Sequence, residues 1–597
     1  MKPYFLLLIL CLCGNLCAQI STQVEAIPPV FGPEYAGKTQ KDELTRVFIS
    51  PQRIVWVNDS NGKLIENEQV LLKQGNSQPE MGKRNMCEMT STENDTASIL
   101  LDYGKELHGG LQLLMGSSSR REPSLVRIRF GESVGECNSQ TNNSQWEVGY
   151  ATDDHAKRDI VMEIPRDGFI EIGNTGFRFV RIDLLQRNTT IRLKEVRAIL
   201  RYRDIPYVGS FRSNDERLNQ IWLTGAYTVH LNMQEYLWDG IKRDRLVWLG
   251  DMHPEVASIR SVFGDNEVVA KSLDLACEQF PLPGWMNNIS AYSFWYLIIQ
   301  HDWYMQNGDL DFLKKHKNYM LGLIDQIDKH VDENGVNTIQ NRSFLDWPSS
   351  PNEKGVRAGC RALMIWSLQA AGQICTFLNE PEYVKKTAAI ISRLNQSVES
   401  HNNLKQAAAL MAIAGILDPA TACNEVVSVG GAQNFSTFYG YYMLQAQALA
   451  GQYQQAIEVI RQYWGGMLDM GATTFWEDFN LEWIDNAARL DELTPAGKKD
   501  IHGDFGAYCY PGFRHSFCHG WSSGPTAWMS EHILGVQVLE PGCKLIKIAP
   551  HLGDLEWVEG SFPTPYGMVK IKHTKDASGK IVSTIDAPKG VTVKIEE

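Results

Sequence analysis

The hydrophobic periodicity of this chain changes twice, and those changes limit the layers it can build. From about residue 45 to 205, apolar and polar positions alternate, as in Val126, Ile128 and Phe130 against Arg127 and Arg129. The same pattern runs through Arg53–Val57, Ala97–Tyr103, Gly110–Met115, Phe177–Asp183 and Ile191–Val196. A period of two gives each strand one buried and one wet face, and short strands between turn residues predict a β-sandwich. Near residue 207 the period lengthens, and Asn214–Trp222 predicts a helix with Ser213 as its N-cap. Helical segments then come in pairs: 291–306 with 310–331, 360–378 with 382–399, and 404–416 with 438–449. Repeated helical hairpins suit a closed toroid better than a bundle. From about 536 the alternation returns in Lys544–Ala549, Leu555–Gly560 and Gly567–Lys572, which predicts a small C-terminal β-sandwich.

At 597 residues the chain is too long for one core. Residues 1–18 read as a signal peptide, with one lysine, an apolar run too short to span a bilayer and a small-residue cleavage site at Cys17-Ala18. The expected divisions are a β-sandwich region over 19–206, a helical domain over 207–535 and a second β-sandwich over 536–597. This pattern predicts an exported protein, periplasmic or secreted, with lipoprotein processing at Cys13 or Cys17 as the lesser alternative. Nine of the twelve cysteines follow residue 18, so at least one is unpaired in a monomer, and none has zinc spacing. Buried free cysteines with one or two disulfides are the expectation. A formal net charge of −13 without long basic runs argues against nucleic acid and anionic membranes as partners.

Asp239-Gly-Ile-Lys-Arg-Asp-Arg-Leu-Val-Trp-Leu-Gly-Asp251, followed by Met-His-Pro-Glu255, sets four carboxylates and three cations among residues that belong in a core. Charges drawn inside a protein must be paired, hydrogen-bonded or functional. A buried ion-pair network holding a loop to a helix is as good an account of these residues, taken alone, as a reactive site. Far downstream lie Gly471-Ala-Thr-Thr-Phe-Trp-Glu-Asp478 and Ser516-Phe-Cys-His519-Gly-Trp-Ser-Ser-Gly-Pro525.

Together the three motifs resemble, in order, those of the bacterial α-L-rhamnosidases of glycoside hydrolase family 78. The family pattern Asp-Cys-Pro-x-Arg-Asp-Glu-Arg-Leu-x-Trp-x-Gly-Asp carries the catalytic acid and sugar-binding carboxylates, and Gly-Ala-Thr-Thr-x-Trp-Glu carries the base. The resemblance implies an (α/α)6 toroid flanked by N-terminal and C-terminal β-sandwich domains. It implies an inverting, exo-acting enzyme that removes terminal rhamnose from an oligosaccharide, polysaccharide or glycoside. No cofactor is required, no metal site is assigned, and calcium is compatible.

Inversion needs one carboxylic acid to protonate the leaving oxygen and one carboxylate to activate water, roughly 6.5–9.5 Å apart. The resemblance assigns Glu477 as the base. The acid is harder to place, because this chain reads Arg243-Asp244-Arg245 and lacks the Glu that carries the proton in the family. A one-residue deletion on a helix turns later side chains by about 100°. Asp244 lies nearest the lost position and is the first choice, although its flanking cations are a poor setting for a proton donor; Asp251 and Glu255 are the alternatives. Asp239 and Arg243 correspond to residues that bind the rhamnose hydroxyls, and Trp248 to one lining the pocket around the C5 methyl. Asp251 matches a carboxylate of that site, and His519 approaches from the late loop. Pyranose C–H faces stack on indole rings, so Trp285, Trp295, Trp303 and Trp347 are candidate walls, though core packing claims them equally well. The rival readings are an (α/α)-barrel glycosidase or lyase for another sugar, and a catalytically silent carbohydrate-binding homologue.

Overall fold

The computed structural model describes residues 41–59, 62–81, 84–139, 158–397, 399–508 and 510–596, with Glu34 and Lys38. Contacts divide the chain into Met1–Thr45 and Arg46–Glu597, and the cavities and the strands and helices described below lie in the second unit, apart from Thr45, the first residue of the strand Thr45–Ile49. The expected signal peptide and Cys509 lie outside the described residues. Among the described residues, no helix is long and apolar enough to cross a membrane.

The N-terminal strands are hydrogen-bonded into one nine-stranded sheet, and strands all along it contribute to one buried core. Along its main path the neighbours run antiparallel: Ile65–Glu66, Cys87–Ser91, Thr189–Tyr202, Ser98–Met115, Gly168–Leu184, Ser124–Gly131 and Asp159–Ile164. The sequence runs 97–103 and 110–115, expected as two strands, are one 18-residue strand with bulges between Asp102 and Leu107 and between Gly109 and Leu111. Bulges bend a long strand without ending it, so its Ser98–Asp102 end pairs with Arg53–Asn58 and its Gly109–Met115 end with Thr189–Tyr202. Val126, Ile128 and Phe130 are buried as their alternation requires. Arg129 is not on a wet face: it is buried and donates to Asp183 at 2.7 Å.

The helical region begins with Glu216–Asn232, whose N-cap is Asp215 rather than Ser213; the Asp215 carboxylate accepts from Arg217 N and Leu218 N. Ser213 instead ends the strand Ser210–Ser213, which pairs with Trp557–Thr564 of the C-terminal region. This strand, just after the expected boundary at 207, thus adds to the sheet of the C-terminal region. The helices Leu249–Val262, Ser290–Asn307, Glu353–Phe377, Lys405–Ile413, Gly440–Leu449 and Gly524–Trp528 each contact the next, and the last contacts the first. Pairing helices by sequence misses Leu249–Val262, Glu267–Gln279 and Tyr453–Asp469. The C-terminal region has a four-stranded sheet and a three-stranded sheet. Its Val558, Phe562 and Ile571 share one apolar core with the helices.

Candidate active site

The 239–248 segment is not helical, which corrects the premise that a deleted residue rotates the later side chains by a helical step. Asp239 N donates to Leu246 O at 3.1 Å, and Leu246 N donates to Asp239 Oδ1 at 3.0 Å, closing the segment into a loop. Inside it Asp244 and Arg245 have φ of 55° and 54°, and Arg245 N reaches Arg243 O at 2.7 Å. Left-handed backbone at two non-glycine residues in succession is strained and persists only where its surroundings hold it. Arg243 Nη1 lies 3.3 Å from Asp244 Oδ2, and Arg245 donates to Asn174 O at 2.8 Å. The loop passes into a helix at Leu249, which places Asp251 in the first turn.

Backbone pairing brings the two later motifs to this loop. Gly520 N donates to Asp239 O at 2.8 Å and His519 N to Phe475 O at 3.0 Å. Glu477 N donates to Ser516 O at 2.9 Å, Ser516 N to Glu477 Oε2 at 3.2 Å, and Trp521 Nε1 to the Glu477 carbonyl at 3.0 Å. Arg243 bridges early and late motifs, donating from Nε to Arg514 O at 3.0 Å and pairing through Nη2 with Glu477 Oε1.

The three motifs converge on a cavity of about 280 Å³ lined by Asp239, Arg243, Asp244, Trp248, Asp251, Glu477 and His519. Trp347 lines it too, whereas Trp295 and Trp303 are fully buried in the core and Trp285 packs edge-on against Phe294. Glu255 is corrected: it lies one turn further along the Asp251 helix, buried beneath Gly520, and does not line the cavity. Tyr292, Arg342, Arg514 and Trp521 also line it, and sequence reasoning does not single them out. Trp521 stands inside the His519 motif and could be found there; the others carry no local signal.

His519 Nε2 stands 3.7 Å from Asp239 Oδ2, 3.8 Å from Asp251 Oδ1 and 3.6 Å from Glu477 Oε1. Asp251 Oδ2 accepts from Tyr292 Oη at 3.2 Å. Burial, reinforced by Asp244 and Asp251, raises the Asp239 carboxyl well above the usual range. Burial also raises Asp251 well above it, against the Tyr292 hydrogen bond. Glu477 is raised by burial but restrained by Arg243. His519 is pushed well below its ordinary value by burial and then by Arg243, so its imidazole is neutral. Asp244 is the least buried of these carboxylates, and its Oδ1 has no hydrogen-bond partner.

Behind the cavity, Glu132 just past the strand Ser124–Gly131, Glu136 in the short helix Val134–Asn138 and Arg158 just before the strand Asp159–Ile164 supply a buried ionic support. Lys242 Nζ lies 3.2 Å from Glu132 Oε2 and 3.1 Å from Glu136 Oε1, and donates to His515 O at 2.8 Å. Glu132 Oε2 accepts from Phe517 N at 2.7 Å, and Arg158 pairs with Glu136 at 3.0 Å. Burial alone would raise Glu136, but Arg158 and Lys242 hold it below its ordinary value. Glu132, Glu136 and His502 form a cluster with metal-ligating spacing among the described residues. Lys242 already stands between them, 3.2 Å from His502 Nε2, so an ammonium supplies the positive charge a metal would bring. The eight described cysteines form no disulfide, so the one or two bridges expected are not found among them.

Residues 206–409 match the bacterial alpha-L-rhamnosidase 6 hairpin glycosidase domain, and 535–596 match the bacterial alpha-L-rhamnosidase C-terminal domain. The chain is 24% identical over 536 residues to an alpha-L-rhamnosidase of Alteromonas sp. (strain LOR), covering 81% of this chain and 54% of that one. It is 23% identical over 492 residues to an alpha-L-rhamnosidase of Formosa agariphila, covering 74% and 49%. The chain thus spans about half the length of the curated relatives it matches. In fold it resembles the GH78 family rhamnosidase of Bacillus sp. GL1, with TM-score 0.70, 19% identity and coverage of 86% of this chain and 54% of that one. It also resembles the rhamnosidase from Klebsiella oxytoca with rhamnose bound, with TM-score 0.61, 18% identity and coverage of 82% and 96%.

Proposed function

We propose that this chain, a member of the α-L-rhamnosidases of glycoside hydrolase family 78, is an inverting, exo-acting α-L-rhamnosidase. The observation that carries the reading is the convergence of Glu477, Asp239, Asp244, Asp251 and His519 on one cavity. Its modest volume suits one terminal sugar, and the contact cycle of six helices supports an (α/α)6 toroid that would hold motifs so distant in sequence together.

In this reading Glu477 is the general base. Burial raises its carboxyl above the ordinary value while Arg243 opposes the rise, and a raised carboxylate is a stronger base. Asp244 is the general acid, because its carboxyl is the most accessible and has an oxygen with no internal partner. Asp251 is the second reading for that role, favoured by the burial that keeps it protonated. Asp239, Arg243 and neutral His519 bind the sugar hydroxyls, while Trp248 and Trp347 wall its apolar face. The substrate is a rhamnose-bearing glycan or glycoside, and export through the 1–18 leader belongs to the same reading.

Proton NMR of the first-formed sugar tests it. Water placed between base and anomeric carbon yields β-L-rhamnose from an α-linked substrate. Initial accumulation of the α-anomer would contradict inversion, and absence of any released rhamnose would favour the silent sugar-binding reading.

A further inference from the structure

A second cleft backs onto the catalytic cavity. Trp347 and Glu477 line the catalytic cavity, while the next residue on each segment, Pro348 and Asp478, lines a separate cleft of about 790 Å³. That volume falls within the ~300–1,000 Å³ range of ligand sites. Phe435, Trp483 and Phe505 contribute aromatic surface, with Trp483 and Phe505 stacked at 5.4 Å.

The polar groups of this cleft are unusual in their pairing. Lys405 is 7% exposed, yet it forms no ion pair among the described residues. Its Nζ donates to Gly431 O at 3.1 Å and lies 5.0 Å from the Phe435 ring centre. Burial lowers its pKa to about 8, which leaves it charged at neutral pH. A buried cation held by one carbonyl and a ring face is poorly compensated. Asp478, also 7% exposed, lines the same cleft; burial raises its carboxyl to about 7, so near neutrality it is partly protonated and able to donate a hydrogen bond. Glu425 and Asp504 also line the cleft, and Lys405 is its one lining cation among the described residues, so the aromatic wall, this buried ammonium without an ion-pair partner and the Asp478 carboxylic acid suit a sugar ring that brings its own carboxylate to Lys405.

We propose that the cleft lined by Lys405, Asp478, Trp483 and Phe505 is a second carbohydrate-binding site that takes an acidic sugar, with Lys405 pairing the uronate carboxylate and Trp483 facing the ring. This site is separate from the rhamnose cavity and does not rest on the hydrolytic reading. It would give the enzyme an acidic glycan as its anchor.

Calorimetric titration of the full chain in saturating L-rhamnose tests this, with a galacturonate trimer as probe and maltotriose as neutral control. The trimer should bind with rhamnose present, and Lys405→Met and Trp483→Ala should each weaken it by about tenfold or more. Methionine keeps the lysine's length without its charge, and an unchanged unfolding transition certifies each variant's fold. No trimer binding, competition between trimer and rhamnose, or equal binding of maltotriose with no dependence on Lys405 would overturn the proposal. Failure of rhamnose itself to bind counts against the hydrolytic reading and leaves the trimer titration readable.

Discussion

Gly520 N donates to the carbonyl of Asp239 across 2.8 Å, which ties the loop carrying His519 to the loop carrying the early carboxylates. The reactive groups are fixed to each other by backbone as well as by side chains, which is how a constellation is kept pre-organised.

The proton donor is identified by leaving-group dependence. Asp244→Asn should be severely impaired on natural rhamnosides but keep much more activity on an aryl rhamnoside with a good leaving group, which needs no proton. Asp239→Asn should damage both alike. If Asp251→Asn shows the dependence instead, the donor is the buried carboxyl beside Tyr292.

The acid limb of the kcat profile should lie above pH 4.5, since Glu477 must be ionised and burial raises it. Arg243 opposes that rise, so Arg243→Met should move the limb to still higher pH. A limb that stays in place would detach Glu477 from the rate.

Asp478 makes a stability prediction whose sign follows from its raised carboxyl. The folded protein keeps this proton from the ordinary value of 3.8 up to about 7, so it binds more protons than the unfolded chain across that window. Its contribution is full below about pH 4 and is lost as pH rises through about 7, by roughly 4 kcal/mol at most. Asp478→Asn should therefore flatten the fall in melting temperature between pH 5 and pH 8; an unchanged slope would refute it.

Lys242→Met should destabilise the fold by about 3–5 kcal/mol, because it strips a cation from Glu132 and Glu136, both fully enclosed. Denaturant unfolding reads this directly. A change below about 1 kcal/mol would mean that the cluster is already neutralised by bound protons.

Much of this was legible in the residues. Period-two alternation marked the strands and longer periods the helices, because both patterns record which face is buried. Glu477, Asp239, Asp251 and His519 were visible through the motifs that carry them. What could not be read was long-range. Ser210–Ser213 looks like a helix entry, yet its partner strand lies about 350 residues away. The Ser98–Met115 strand looks like two because bulges interrupt its alternation. The Asp239–Leu246 loop resembled a helix because its charges are dense and its apolar residues contiguous, and only the observed backbone shows the left-handed turn at Asp244. Lys242 gave no hint that its partners lie about 110 residues earlier, in the turn and short helix that follow the strand Ser124–Gly131, since ion pairing across domains leaves no local pattern.

The central claim is that the cavity around Glu477 hydrolyses α-L-rhamnosides with this side chain as base, and the direct measurement is turnover of an aryl α-L-rhamnoside by the wild type and by Glu477→Gln. The wild type should release L-rhamnose, and the variant should lose about 10²–10⁴-fold in kcat or more while keeping its unfolding transition. Hydrolysis at a near-wild-type rate by folded Glu477→Gln, or no hydrolysis by the wild type, would contradict it.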